Sequence, residues 1–146
     1  MNQTKYKNKK QRTHTLKSLF SKPRLDHEIN SKNSGSFAEQ LACDYLIKQK
    51  LILICKNYYC RQGEFDLIMQ DKDDLVFVEV RYRKNEHFGS AIETIGFRKI
   101  QRIKTAIAHY QMTNKLNSMP CRIDVIGLTG SLSNPKLNWK KNIILD

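Results

Sequence analysis

The sequence predicts an α/β domain: a mixed sheet flanked by helices, in the order α-β-β-β-α-β. Three observations carry this expectation. Apolar residues recur first with helical spacing, then as short runs, then with helical spacing again. Two of the runs are joined by the short acidic turn Asp71-Lys72-Asp73-Asp74. The chain of 146 residues, 40% of them hydrophobic, supplies one core and is short for two.

Residues 1–33 are polar and basic, without apolar periodicity, and read as a disordered tail ahead of a single domain at 34–146. A helix is expected to start at Asn33–Ser36, where Asn and Ser can cap its first amides. Phe37, Leu41 and Tyr45 follow at i, i+4 and i+8, with Ala38, Ala42 and Leu46 beside them, which makes one apolar stripe to about Lys50. Leu51–Tyr59, Glu64–Gln70 and Leu75–Tyr82 read as strands. A second helix is expected from Thr94 to Thr113, with Ile100, Ile103, Ile107 and Tyr110 on one face. Cys121–Leu128 reads as a further strand, residues 129–135 as a turn-rich break, and Leu137–Leu145 as an added edge strand.

Twenty-six Lys and Arg stand against fourteen Asp and Glu, a formal charge of +12. So large a surplus in a small domain points to a polyanionic partner, most commonly nucleic acid, with an acidic protein or membrane surface as the alternative. Its placement is uneven. Residues 1–33 hold nine basic and two acidic side chains, so the tail carries more than half of the surplus. Lys9 and Lys10 in the tail, and Arg98, Lys99 and Arg102 on the second helix, are the expected phosphate contacts.

Other classes are excluded. The longest strictly apolar run is Leu51 to Cys55, far short of the roughly 18–20 residues of a membrane span. The basic N-terminus lacks the apolar stretch of a secretory signal. Cys43, Cys55, Cys60 and Cys121 form no C-x-x-C and have no histidine at ligand spacing, so they read as reduced thiols in or near the core of a cytoplasmic protein. No phosphate-binding or dinucleotide-binding glycine pattern occurs.

The informative stretch is Gly63-Glu64-Phe65-Asp66-Leu67-Ile68 followed by Val76-Phe77-Val78-Glu79-Val80-Arg81. With 71–74 as a four-residue loop, Gln70 faces Leu75, Ile68 faces Phe77, Asp66 faces Glu79 and Glu64 faces Arg81, all on one face of the hairpin. Phe65, Leu67, Val76, Val78 and Val80 then cover the opposite face. Asp66 and Glu79 become cross-strand neighbours with β-carbons roughly 4.5–5.5 Å apart. At about 5 Å and an effective dielectric near 20 their repulsion is roughly 3 kcal/mol, against about 0.2–1 kcal/mol for an ordinary cross-strand pair. A divalent cation, Arg81 or a retained proton must neutralise it. Mg²⁺ or Mn²⁺, weakly held with water completing the coordination, suits carboxylates on a rigid hairpin. A blander alternative is a Glu64–Arg81 surface ion pair with Asp66 and Glu79 solvated.

These motifs, with the Phe77-Val78-Glu79-Val80-Arg81-Tyr82-Arg83 segment, resemble the signature of the bacterial YraN-like family of uncharacterised proteins. Glu39, Ala42, Phe88-Gly89, Lys99 and Arg122-Ile123-Asp124-Val125 extend the likeness over about Gly35 to Leu128. That family is similar to the restriction-endonuclease superfamily, particularly archaeal Holliday-junction resolvases. The resemblance implies a restriction-endonuclease-like core with Asp66 and Glu79 as metal-binding carboxylates and Glu39 projecting toward them from the first helix. It makes Glu39, Asp66, Glu79 and Arg81 the catalytic set, and Arg83 joins the nucleic-acid contacts. Arg81 stands where the nuclease pattern has lysine. An arginine grips phosphate but does not readily shuttle a proton.

Three functions follow from these readings. The first is a Mg²⁺- or Mn²⁺-dependent endonuclease acting on structured, branched DNA, as a homodimer if it matches a symmetric junction. The second is a nucleic-acid-binding module that keeps the fold without turnover. The third is a basic adaptor on an acidic protein or membrane surface. Retention of Glu39, Asp66 and Glu79 together favours the first two.

Overall fold

In the computed structural model, residues 31–85 and 96–143 are described. Their elements are α1 (Ser31–Lys48), β1 (Ile52–Cys60), β2 (Gly63–Asp71), β3 (Asp74–Arg83), α2 (Phe97–Thr113), β4 (Cys121–Thr129) and β5 (Lys136–Lys140). The strands form one sheet in the order β1-β2-β3-β4-β5. Three short connections join antiparallel neighbours, whereas β3 and β4 are parallel. A parallel pair needs a crossover long enough to return the chain, and α2 lies in that connection. The expected α-β-β-β-α-β order is present, and β5 adds a short fifth strand ending at Lys140 rather than running on toward Leu145.

The helices lie on opposite faces. On one face α1 packs Ala38, Ala42, Cys43 and Leu46 against Leu67, Met69, Val76, Val78, Ile126 and Leu128. On the other, α2 packs Ile103, Ala106, Ile107 and Tyr110 against Phe65, Ile68, Leu75 and Phe77. Strand β3 is therefore covered on both sides, and every residue from Leu75 to Glu79 is buried. A centre strand buried on both faces reads as an unbroken apolar run, and Glu79 is the exception in it.

Local chemistry explains the boundaries. Helix α1 begins two residues before the expected start, so Asn33 and Ser34 lie within its first turn. Its end is closed by Lys50 at φ 74°, with Leu51 N–H donating to the Leu46 carbonyl and Lys50 N–H to Ile47. Leu46 and Leu51 share the core beside that closure, as in a Schellman cap. The β2–β3 turn is tighter than expected. Asp71 pairs with Asp74, leaving Lys72 at φ 55° and Asp73 as a two-residue turn. The register is unaffected: Gln70 faces Leu75 and Ile68 faces Phe77.

Lys9 and Lys10, the tail at 1–30, Phe88-Gly89 and the expected helix start at Thr94 lie outside the described residues. Among those described, no helix is long and apolar enough to cross a membrane. The four cysteines are unpaired; Cys43 and Cys60 are buried, whereas Cys121 is exposed rather than in the core.

Opposite Glu79, on the α1 face, sits a second acidic residue in the sheet. Asp124 of β4 is fully buried and richly served. Arg122 Nε donates to Oδ1 at 3.1 Å, Asn142 N–H to Oδ1 at 2.9 Å, and Trp139 Nε1 to Oδ2 at 3.1 Å. Arg122 also bonds Asp71 at 2.8 Å, which ties β4 to the hairpin turn and holds the Asp71 carboxyl below its ordinary pKa. Removing one partner of a buried pair leaves an uncompensated charge, at about 3–5 kcal/mol. Arg122→Met is expected to lower unfolding free energy by roughly 3 kcal/mol, read from urea denaturation. A loss under about 1 kcal/mol, the level of an exposed pair, would show that Trp139 and Asn142 suffice.

Candidate functional site

The candidate site forms where the β2–β3 ladder stops. Pairing runs from Asp71↔Asp74 to Leu67↔Val78; beyond it Asp66 does not pair in register with Glu79. Instead Val80 N–H donates to Asp66 Oδ2 at 2.6 Å. The carboxylate has taken a donor aimed at β2, and it fills the gap between the diverging strands.

Strand β1 contributes to this irregularity. Lys56 pairs with Leu67 and Tyr58 with Phe65, but the intervening Asn57 and Asp66 are unpaired. Asn57 has φ 51°, a left-handed conformation that Asn tolerates better than most residues. Alternation slips by one residue there. Phe65 and Ile68 therefore share the α2 face while Leu67 and Met69 face α1. The expectation that Phe65 lies opposite Ile68 and Phe77 is thus corrected. Gly63 permits the approach of α2, since a β-carbon there would stand 3.3 Å from the Arg102 carbonyl oxygen and from Ala106 Cβ.

The electrostatics are unequal. Glu79 is only 7% exposed. Its Oε1 takes a salt bridge from Lys99 Nζ and lies 3.2 Å from Arg81 Nε. The Arg81 contact is an ion pair by distance only, because Nε makes no directed hydrogen bond. Among the described residues, no counter-ion contacts Asp66 in this way. Burial and the neighbouring Glu79 charge push its carboxyl up to about 7, Glu39 adding to the rise, while the Val80 N–H and Lys99 pull the other way.

The blander alternative from the sequence is thereby overturned. Arg81 pairs with Glu79, not Glu64, and Glu64 is exposed at the β2 edge facing Tyr59 of β1. Asp66 and Glu79 are not solvated surface charges. Of the expected site residues, the fold brings Asp66, Glu79 and Arg81 together, with Glu39 on α1 near enough to act electrostatically on Asp66. Lys99, expected among the phosphate contacts, stands at Glu79. Arg83, Arg98 and Arg102 are exposed. Asn57 was missed; an Asn inside a run of strand formers was its one visible signal.

Among the described residues, no three His, Cys, Asp or Glu side chains converge as a ready metal-binding group. The donor set on offer is the Asp66–Glu79 pair. Two mutually repelling carboxylates, one displaced to about 7, fit a hard cation with water as its remaining ligands.

Asp66 also sets a pH dependence of stability. Its folded pKa lies above the unfolded value near 3.9, so between about pH 4 and 7 the folded state binds the extra proton and stability falls as pH rises. Asp66→Asn removes the charge and keeps an acceptor for Val80. Relative to wild type, this variant is expected to gain about 4 kcal/mol between pH 4 and 8. Denaturation curves in metal-free buffer measure it. A constant difference across that window would refute the buried, repelled carboxylate.

Comparison with known proteins bears on the same residues. Residues 38–128 match the model of Uncharacterised protein family UPF0102, from within α1 through the hairpin and α2 into β4. A UPF0102 protein of Psychromonas ingrahamii is 48% identical over 121 residues, covering 82% of this chain and 94% of that one. UPF0102 proteins of Nitrosococcus oceani and Legionella pneumophila are each 45% identical, covering 76% and 77% of this chain and 90% and 94% of theirs. The chain belongs to the YraN-like UPF0102 family.

Proposed function

We propose that this protein binds nucleic acid and that its Asp66–Glu79 pair forms a Mg²⁺- or Mn²⁺-dependent endonuclease site for structured, branched DNA. The observation that carries the reading is the pair of a buried Glu79 and a half-buried Asp66, with Asp66 pushed up to about 7 beside cationic Arg81 and Lys99. Perturbed acids next to a basic surface mark functional sites more often than structural ones. The choice of branched DNA follows the likeness to Holliday-junction resolvases, and a symmetric junction suits a homodimer.

In this reading Asp66 and Glu79 hold the ion, with Glu39 supporting from α1. A bound Mg²⁺ or Mn²⁺ would supply Lewis-acid stabilisation of phosphate charge and activate water. Arg81, with its Nε against Glu79, offers the far side of its guanidinium to a phosphate oxygen. A guanidinium keeps its proton and does not readily accept that of the attacking water, which leaves proton removal to Glu39, to the greater acidity that a bound ion would give the water, or to the substrate phosphate. Exposed Arg83, Arg98 and Arg102 track the flanking backbone, and Lys9 and Lys10 extend the contact.

A second reading, a binding module without turnover, is favoured by two observations. Arg81 occupies the lysine place, and no three-ligand group stands ready among the described residues.

A pair of variants separates the two readings. Asp66→Ala is expected to reduce Mn²⁺-supported cleavage of a four-way junction at least about a hundredfold, the level at which a lost electrostatic stabiliser is felt. Arg81→Lys is expected to cut at least as well as wild type. If neither wild type nor Arg81→Lys cuts junction, single-stranded or duplex DNA while both bind it, the binding module is the correct reading.

Binding has its own signature. On duplex DNA, log affinity falls with log salt by about 0.9 per phosphate contact. Replacing Arg98 and Arg102 together by Ala is expected to reduce that slope by about 1.8, and deleting residues 1–30 to flatten it further. A slope unmoved by either change would remove α2 and the tail from the interface.

A further inference from the structure

The arrangement at Glu79 is oversupplied with positive charge. One carboxylate oxygen, Oε1, is approached by both Lys99 Nζ and Arg81 Nε, while Asp66 on neighbouring β2 has a backbone N–H and, among the described residues, no contacting cation. Arg81 alone would compensate Glu79. Lys99 is the surplus partner, and it comes from a different element.

Its position is unusual for its helix. The α2 face toward the sheet is apolar, with Ile103, Ala106, Ile107 and Tyr110 buried, and Arg98, Arg102 and Lys104 are exposed. Lys99 lies between these faces, its side chain 39% exposed and its ammonium on Glu79. A lysine on a half-exposed helical position has water available to it on four flexible carbons. Here it sits on a buried acid.

We infer that Lys99 is a tethered competitor of the divalent cation: its ammonium holds Glu79 in the metal-free protein and must release Oε1 before the carboxylate pair can be shared with a metal. This rests on reading Asp66–Glu79 as the cation-binding pair, and it adds regulation to that site. A divalent ion entering at Glu79 meets two cations already in place. Arg81 lies two residues along the same strand, so its backbone is fixed beside Glu79. Lys99 has the long stem, so it is the one that leaves. A DNA phosphate beside the pair offers the displaced ammonium a new partner. Metal and phosphate should therefore bind cooperatively, each favouring the state with Lys99 off Glu79.

The test uses the full chain and Mn²⁺ alone, followed by electron paramagnetic resonance, with and without a short DNA duplex. Lys99→Gln is expected to bind Mn²⁺ about tenfold more tightly than wild type, and Lys99→Arg, which keeps the charge, to bind as weakly as wild type. Duplex DNA should tighten Mn²⁺ binding to wild type and have a smaller effect on Lys99→Gln. Lys99→Met serves as a second neutral variant, and circular dichroism melts establish that each is folded at the assay temperature. Equal or weaker Mn²⁺ binding by folded Lys99→Gln and Lys99→Met overturns the competition while leaving the metal site standing. Mn²⁺ binding by none of the proteins, with or without DNA, overturns both the competition and the metal-dependent reading on which it rests.

Discussion

A carboxylate on the innermost strand of the sheet is the constraint around which this molecule is arranged. Strand β3 is covered by α1 on one face and α2 on the other, and Glu79 is buried in its middle. A buried charge is tolerated only when it is compensated, and each neighbour of Glu79 reflects that. Arg81 turns back along the strand, Lys99 reaches in from α2, and β2 parts from β3 so that Asp66 bonds Val80 N–H rather than standing in register against Glu79.

Two aspartates in one sheet, Asp124 fully buried and Asp66 half-buried, show how differently such groups can be served. Asp124 is bonded by an arginine, an indole N–H and a backbone N–H, and those bonds join β4 to β5 and to the β2–β3 turn. A carboxylate so fully satisfied is a structural clamp. Asp66 receives one backbone donor and faces two like charges, and its carboxyl rises to about 7. Asp66 is left with its charge opposed rather than satisfied. The same residue type takes opposite roles because of the number of donors around it.

Much of this was legible in the chain. The switch between helical and alternating apolar spacing located both helices and the strands, because burial of one face imposes a period on the sequence. The hairpin register was readable from the acidic turn, since a side-chain period of two allows few alternatives; shortening the loop from four residues to two changed no partner. The less legible features are those in which the period fails. The slip at Asn57 and Asp66 reassigned Phe65 to the other face and left Glu64 away from Arg81, and a period of two cannot foresee a residue that breaks it.

The sequence by itself determined the element order, the facing of Ile68 and Phe77, the Asp66–Glu79–Arg81 neighbourhood and the basic character of α2, because these depend on local spacing and on charge. The tertiary structure decided that α2 crosses the face on which Glu79 lies, and so turned Lys99 from an expected surface contact into a partner of the buried acid. It also decided that Arg122 and Asp124 form a clamp on the opposite face. Lys99 and Glu79 are twenty residues apart and belong to different elements. Such a pairing is fixed by how helix and sheet pack to bury their apolar faces, which no local pattern along the chain encodes.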